Sequence, residues 1–177
     1  MNNHKNPLIF IGAGGHAHVL AEIAALTKEN VIGYLSKEKI IEKNKFFDFP
    51  FLGDDDSIGE YDPNEVLLVN GLGMLPGCTK RSKLGDLMLS KGYKFATMLH
   101  PSVTISRKVT INDGVQIMAG AILQFNAVLG NNSIINTGSI IDHETIIGKN
   151  CHLAPGVICG GNVKIGDNSF IGAGTTI

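Results

Sequence analysis

The stretch SIINTGSIIDHETIIGKNCHLAPG, residues 133–156, decides the fold, because the same pattern returns in it every six residues. Working outward in both directions, the chain from Val103 to its last residue divides into sixes without an insertion. One column holds Ile105, Ile111, Ile117, Leu123, Leu129, Ile135, Ile141, Ile147, Leu153, Cys159, Ile165, Ile171 and Ile177. Four residues after each aliphatic stands a small or β-branched residue, among them Val115, Ala121, Ser133, Thr145 and Cys151. Directly after the aliphatic there is often Gly, Asn or Asp, as at Gly130, Asn136, Asp142, Gly148, Gly160, Gly166 and Gly172. A fixed internal period of this kind outranks local propensity as a guide to the fold.

A period of six fits neither a helix nor a long alternating strand. Its physical solution is a short strand and a corner, repeated, with each aliphatic pointing inward. The position after the aliphatic then reads as the turn, where Gly or Asn tolerates unusual backbone angles. The pattern resembles the left-handed parallel β-helix of the hexapeptide acyltransferases, in which three hexads make one triangular coil. That resemblance implies the handedness, an exception to the usual right-handed crossover. It also implies that residues 18 apart stack. Cys159 then continues an internal ladder and Cys151 fills a small-residue slot, so both read as core.

Composition removes several classes of function. The net charge is −1 and the 15 Lys and Arg are scattered, leaving no electrostatic footprint for nucleic acid. No tryptophan and only three tyrosines are present, so a stacking platform for bases is missing as well. The three cysteines are no disulfide framework, no start resembles a signal peptide, and no apolar run reaches membrane-spanning length. The expectation is a soluble, cytoplasmic protein.

The first hundred residues follow another grammar. Leu8–Ile11, Val31–Leu35, Val66–Asn70 and Lys94–Leu99 read as strands. Residues 17–27 and 80–91 read as helices, the first with Val19, Leu20, Ile23, Ala24 and Leu26 on its apolar face. The alternation implies a small parallel α/β sheet, Rossmann-like, over residues 1–99, with 100–177 as the β-helix domain and His100-Pro101 as the junction. Ser36–Asp56 reads as a charged loop. Gly12-Ala13-Gly14-Gly15-His16-Ala17 stands between strand and helix, the context of a phosphate-binding turn. A complete NAD site is not expected, since Ser36 and Lys37 stand where ribose recognition wants a carboxylate.

Within the repeats one constellation carries chemistry. Asp142-His143-Glu144 is a charged corner in a region otherwise sparse in charge. Either flanking carboxylate could orient His143 and stabilise its protonated form. Eighteen residues on, Gly161 stacks over His143 and leaves a backbone N–H beside the imidazole, as an oxyanion site requires. The plainer reading of His143 is a solvated turn histidine.

The glycine turn, the small α/β domain, the His100-Pro101-Ser102 junction and the Asp142-His143-Glu144 corner occur in the order found in a known family. The chain resembles the sugar acyltransferases of the sialic acid O-acetyltransferase and bacillosamine or perosamine N-acetyltransferase type. The resemblance implies a homotrimer with active sites between neighbouring β-helices, His143 as general base and Glu144 as the residue orienting it. It implies that acetyl-CoA, and no metal, is used, that the Gly161 amide faces the thioester oxygen, and that His152 and Ala173 contact the cofactor. Gly12, Gly14, Gly15, His16 and Ser36 would meet the nucleotide sugar, and Asn136 the acceptor. The implied reaction is N-acetylation of a UDP-4-amino sugar or similar compound in surface-glycan biosynthesis, with O-acetylation of sialic acid-like sugars as the alternative.

Two departures accompany the resemblance. Relatives often carry an Asp pair where this chain has Ser36-Lys37, and they continue for about another coil where this sequence stops in mid-hexad, which reads as a truncation. Two rival classes use the same scaffold. A zinc lyase like the γ-class carbonic anhydrases needs three converging histidines, whereas the repeats hold His143 and His152, with His100 at the junction. A non-catalytic hexapeptide scaffold would release no thiol from acetyl-CoA.

Overall fold

The computed structural model describes residues 4–37 and 48–177. They fall into two compact units: one of residues 97–177 with Leu75–Gly77, the other of the remaining described residues up to Ala96.

The repeat unit is a left-handed parallel β-helix with three faces. The first carries β5 (Met98–Leu99), β8 (Gln116–Ile117), β11 (Ile134–Ile135), β14 (His152–Leu153) and β17 (Phe170–Ile171). The second carries β6 (Thr104–Ile105), β9 (Ile122–Leu123), β12 (Ile140–Ile141) and β15 (Ile158–Cys159). The third carries β7 (Thr110–Ile111), β10 (Val128–Leu129), β13 (Ile146–Ile147) and β16 (Lys164–Ile165). Every pair is parallel and joins residues 18 apart, such as Ile140 with Ile158 and Val128 with Ile146. Two-residue strands suffice because each peptide group bonds to the coil below and the coil above.

The aliphatic column forms the core. Ile117, Leu123, Leu129, Ile135, Ile141 and Leu153 are fully buried, together with Cys159. Each such side chain contributes about 1.5–3 kcal/mol by leaving water. The small column also points inward, and its hydroxyls have a second use. Ser133 Oγ donates to Gly148 O at 2.7 Å, Ser139 Oγ to Ala154 O at 3.2 Å, and Thr145 Oγ1 to Gly160 O at 2.8 Å. These bonds satisfy corner carbonyls that the strand ladders leave over.

The turn column differs from the expectation. Left-handed φ values occur three residues after each aliphatic, at Gly114, Gly120, Asn126, Asn132, Gly138, Glu144, Asn150, Gly156, Asn162, Asn168 and Gly174 as well as Lys108. The corners have the pattern of a type II turn, whose third residue takes positive φ. Gly130 and Gly148, directly after the aliphatics, serve close approach between coils instead. A Cβ on Gly130 would lie 2.5 Å from the carbonyl carbon of Gly148 in the next coil.

The α/β unit holds a four-stranded parallel sheet in the order β3-β2-β1-β4, with β1 at Leu8–Ile11, β2 at Val31–Leu35, β3 at Phe51–Gly53 and β4 at Leu67–Asn70. Helix α1 spans Gly15–Leu26 and α2 spans Lys80–Ser90. Three expectations change here. The segment read as a loop contains β3 and is followed by a 3₁₀ turn, Asp55–Glu60, while its residues 38–47 lie outside the described ones. The strand expected over Lys94–Leu99 divides, with Phe95 making a single bridge to Leu68 and Met98–Leu99 opening the first β-helix face. On α1, Ala17 and Ala21 are buried whereas Val19 and Leu26 are exposed, because small residues let the helix lie close to the sheet.

Candidate active site

His143 and Glu144 are the two central residues of the corner between β12 and β13. Thr145 N donates to Asp142 O at 3.4 Å and closes the turn, while Asp142 Oδ1 accepts from His143 N at 2.7 Å. Asp142 therefore caps the backbone, and it is Glu144 that meets the ring. Glu144 Oε2 lies 3.5 Å from His143 Nδ1, with both side chains more than half exposed. An exposed contact of this length contributes little to stability. It places a carboxylate oxygen beside Nδ1 on the side of the ring away from Gly161.

Nε2 faces Gly161. A Cβ built on Gly161 would come within 2.5 Å of His143 Nε2, so the imidazole occupies the space that any other residue would fill. Asn162 N donates to His143 O at 2.8 Å and ties the two corners together. Glu144 holds φ 60° in a column otherwise made almost entirely of Gly and Asn. A carboxylate at such a position costs about 1 kcal/mol relative to a permissive residue.

The other candidates of this unit gather elsewhere. Asn136 Nδ2 is 3.1 Å from His152 Nε2, and the rings of His152 and Phe170 meet nearly perpendicular with centroids 5.1 Å apart. Asn136 opens the corner between the first and second faces, the corner that Ala173 shares two coils higher. Gly161 alone among the expected acetyl-CoA contacts lies at the His143 corner. Sequence reading also passed over an open groove of about 480 Å³ on the third face, bordered by Lys108, Asn126, Val128, Glu144 and Lys164. Its lining comes from positions 18 apart on four successive coils, so the stacking rule could have grouped them.

In the α/β unit, Gly12 takes φ 89° and α1 begins at Gly15 with Gly14 as its N-cap. Open space surrounds the Cα atoms of Gly14 and Gly15, so their amides can be approached closely. Beside this turn runs the loop after β4, which sequence reading did not count as part of the site. A Cβ on Gly71 would sit 2.6 Å from Gly12 O, and one on Gly73 would be 3.5 Å from the His16 Cβ. Arg81 holds that loop from beneath, its Nη1 donating to Asn70 O at 2.9 Å and Leu72 O at 2.6 Å. Burial pushes the Arg81 guanidinium down to about 9. His18 Nδ1 lies 3.0 Å from Gly14 O, and Ser36 ends β2 with its N–H on Gly53 O at 3.0 Å. With β1 central and connections leaving to both sides, this is the sheet's switch point, where α/β folds bind ligands.

Residues 7–82 match the family model described as PglD N-terminal domain, and residues 93–177 match that described as GMPPB C-terminal domain. The acetyltransferase domain of PglB from Neisseria gonorrhoeae is 29% identical with a TM-score of 0.87, over 97% of this chain and 82% of that one. Perosamine N-acetyltransferase from Caulobacter crescentus, as a histidine variant in complex with CoA and GDP-perosamine, is 25% identical with a TM-score of 0.81, over 100% of this chain and 90% of that one. Over nearly its whole length the chain is similar to acetyltransferases of the bacillosamine and perosamine N-acetyltransferase type. No curated protein matches the sequence. The same PglB domain is also known in complex with acetyl coenzyme A, at 29% identity and a TM-score of 0.86 over 98% of this chain and 82% of that one. Among the described residues, no three His, Cys, Asp or Glu stand together to hold a metal ion, and no helix is long and apolar enough to cross a membrane.

Proposed function

We propose that the chain transfers an acetyl group from acetyl-CoA to the amine of a nucleotide-linked 4-amino sugar, as a step in making a surface glycan. The observation that carries this reading is the His143 imidazole lying against Gly161, with Glu144 at its other nitrogen. His143 Nε2 accepts the proton from the amine as the nitrogen attacks the thioester carbonyl. The developing oxyanion is met by the Gly161 N–H, and CoA departs as the thiolate. General-base assistance of this kind is worth roughly 10²–10⁴-fold. No covalent acyl-enzyme is required. The relatives bound to CoA and GDP-perosamine support both substrate classes.

The α/β unit holds the nucleotide sugar through Gly12, Gly14, Gly15 and His16, with Ser36 at the end of β2. Asn136, His152 and Ala173 serve acceptor and acetyl-CoA from the corner of a second copy. The separation of these residues from His143 within one chain supports that division, because two corners of one prism cannot close on the same ligand. The resemblance to the family implies that the working form is a homotrimer, in the cytoplasm where acetyl-CoA and nucleotide sugars are available.

A thiol-release assay with acetyl-CoA tests the reading against UDP- and GDP-linked 4-amino sugars, CMP-sialic acid and free sialic acid. Release with an amino sugar is expected. Release only with the sialic acids would assign O-acetylation, and no release with any acceptor would leave a non-catalytic scaffold.

A further inference from the structure

Asn136 and Asp142 open successive corners of the β-helix and hold them in the same way. Asn136 Oδ1 accepts from Thr137 N at 2.8 Å, as Asp142 Oδ1 accepts from His143 N at 2.7 Å. A backbone N–H can only donate, so the contact with Thr137 decides which end of the Asn136 amide is the oxygen. The other end is then the amide NH₂, and it lies 3.1 Å from His152 Nε2. Two donors cannot share a hydrogen bond, so Nε2 is the acceptor and carries no proton.

The proton of the His152 ring therefore sits on Nδ1. A charged imidazole has a donor at both nitrogens and would turn one of them against the amide. The surroundings agree with an uncharged ring. His152 is buried, with the fully buried Ile134 below it in its ladder and Phe170 above it, the Phe170 ring nearly perpendicular to its own. Apolar neighbours on both sides suit a neutral side chain better than an ion. From these contacts we infer that Asn136 is a positioning residue: its amide holds His152 in the neutral tautomer protonated on Nδ1. The inference deepens the acetyl-transfer reading, in which His152 meets acetyl-CoA, and rests on it for that consequence. Asn136 then acts on acetyl-CoA through the imidazole, because the partner of one ring nitrogen determines which nitrogen keeps the proton.

The test uses the parallel with Asp142. Asn136→Asp keeps the oxygen that caps Thr137 N, as Asp142 caps His143 N, but turns an acceptor instead of a donor towards His152 Nε2. Asn136→Ala removes both contacts. NMR of protein labelled in its histidine rings reads the tautomer at neutral pH, the His152 signal being the one lost in His152→Gln. The expected result is a proton on Nδ1 alone in the wild type and on Nε2 in Asn136→Asp, whose melting temperature should be no lower than that of Asn136→Ala. Calorimetry should find acetyl-CoA bound about fivefold more weakly by Asn136→Asp than by the wild type, the worth of roughly one hydrogen bond. In the His152→Gln background the same change should have no effect on acetyl-CoA binding. A wild-type ring protonated on Nε2, or a tautomer that Asn136→Asp leaves unchanged, would overturn the inference. So would equal weakening by Asn136→Asp with and without His152. Wild-type protein that neither binds acetyl-CoA nor releases thiol from it would sink the acetyl-transfer reading instead, and the tautomer would then decide the role of Asn136 by itself.

Discussion

The β-helix and the α/β unit solve the same problem of burying apolar surface with opposite amounts of repetition. In the β-helix each structural role recurs every six residues and each stacking relation every eighteen, so an aliphatic, a hydroxyl clamp and a turn residue can be compared with their own copies. In the α/β unit Gly71, Asn70 and Arg81 each occur once, in contacts between β4, α2 and the glycine turn that no other part of the chain duplicates. Repetition makes departures visible. Glu144 is conspicuous because its column is built from Gly and Asn, whereas nothing in the α/β sequence marks Arg81 as exceptional.

The largest expected effect lies at that departure. His143→Ala should lower kcat by about 10²–10⁴ with acetyl-CoA saturating, measured by thiol release, while the melting temperature hardly moves because the ring is exposed. Wild-type turnover in that variant would reduce the corner to one more solvated turn. Next comes the repeat itself. Ile135→Ala, in the middle of the ladder Ile117-Ile135-Leu153, should cost about 2–5 kcal/mol in denaturant unfolding. Ile171→Ala, at a half-buried position higher on the same face, should cost distinctly less. Equal losses would mean that burial does not set the cost of a ladder position.

In the α/β unit, Gly71→Ala should cost about 1–3 kcal/mol by overpacking, since its Cβ meets Gly12 O and Ala17 Cβ. The same variant should weaken UDP or GDP binding in calorimetry, an effect His143→Ala should not share. A smaller effect of opposite sign is expected at Glu144→Asn. Relief of the left-handed backbone should raise stability by about 1 kcal/mol, while kcat falls because the imidazole loses its orienting carboxylate.

The smallest effect concerns the thiols. Burial pushes Cys151 and Cys159 above the ordinary value of 9.0. Native protein at pH 8 should therefore react with a thiol reagent at Cys78 alone, and at all three cysteines once unfolded. Because the folded chain keeps these protons longer than the unfolded one, their contribution is intact below pH 9 and stability declines as pH rises beyond it.

Legibility followed repetition. The internal ladders, the buried cysteines, the exposed His143 corner and its stacking on Gly161 were all readable from the hexads and the coil of eighteen. The role of the glycines after the aliphatics was misread, because composition reports that a glycine is needed but not whether backbone angle or coil-to-coil distance requires it. Gly130 answers to distance and Gly138 to angle, yet the two look alike in sequence. The strand at Phe51–Gly53 was missed because three residues carry too short an alternation to register.

By itself, the sequence determined the β-helix, the glycine turn before α1 and the pairing of His143 with Gly161, since each rests on periodicity or on neighbours in the chain. The residues alone left Asp142 and Glu144 equivalent, the resemblance pointed to Glu144, and the tertiary structure places Glu144 beside the ring while Asp142 caps the backbone. It alone brought Asn136 to His152, and it alone tied Arg81 to the loop beside the glycine turn. Those outcomes depend on side-chain direction across coils and between strand and helix. Free energies of a kcal/mol or so choose among directions that the linear pattern leaves equivalent.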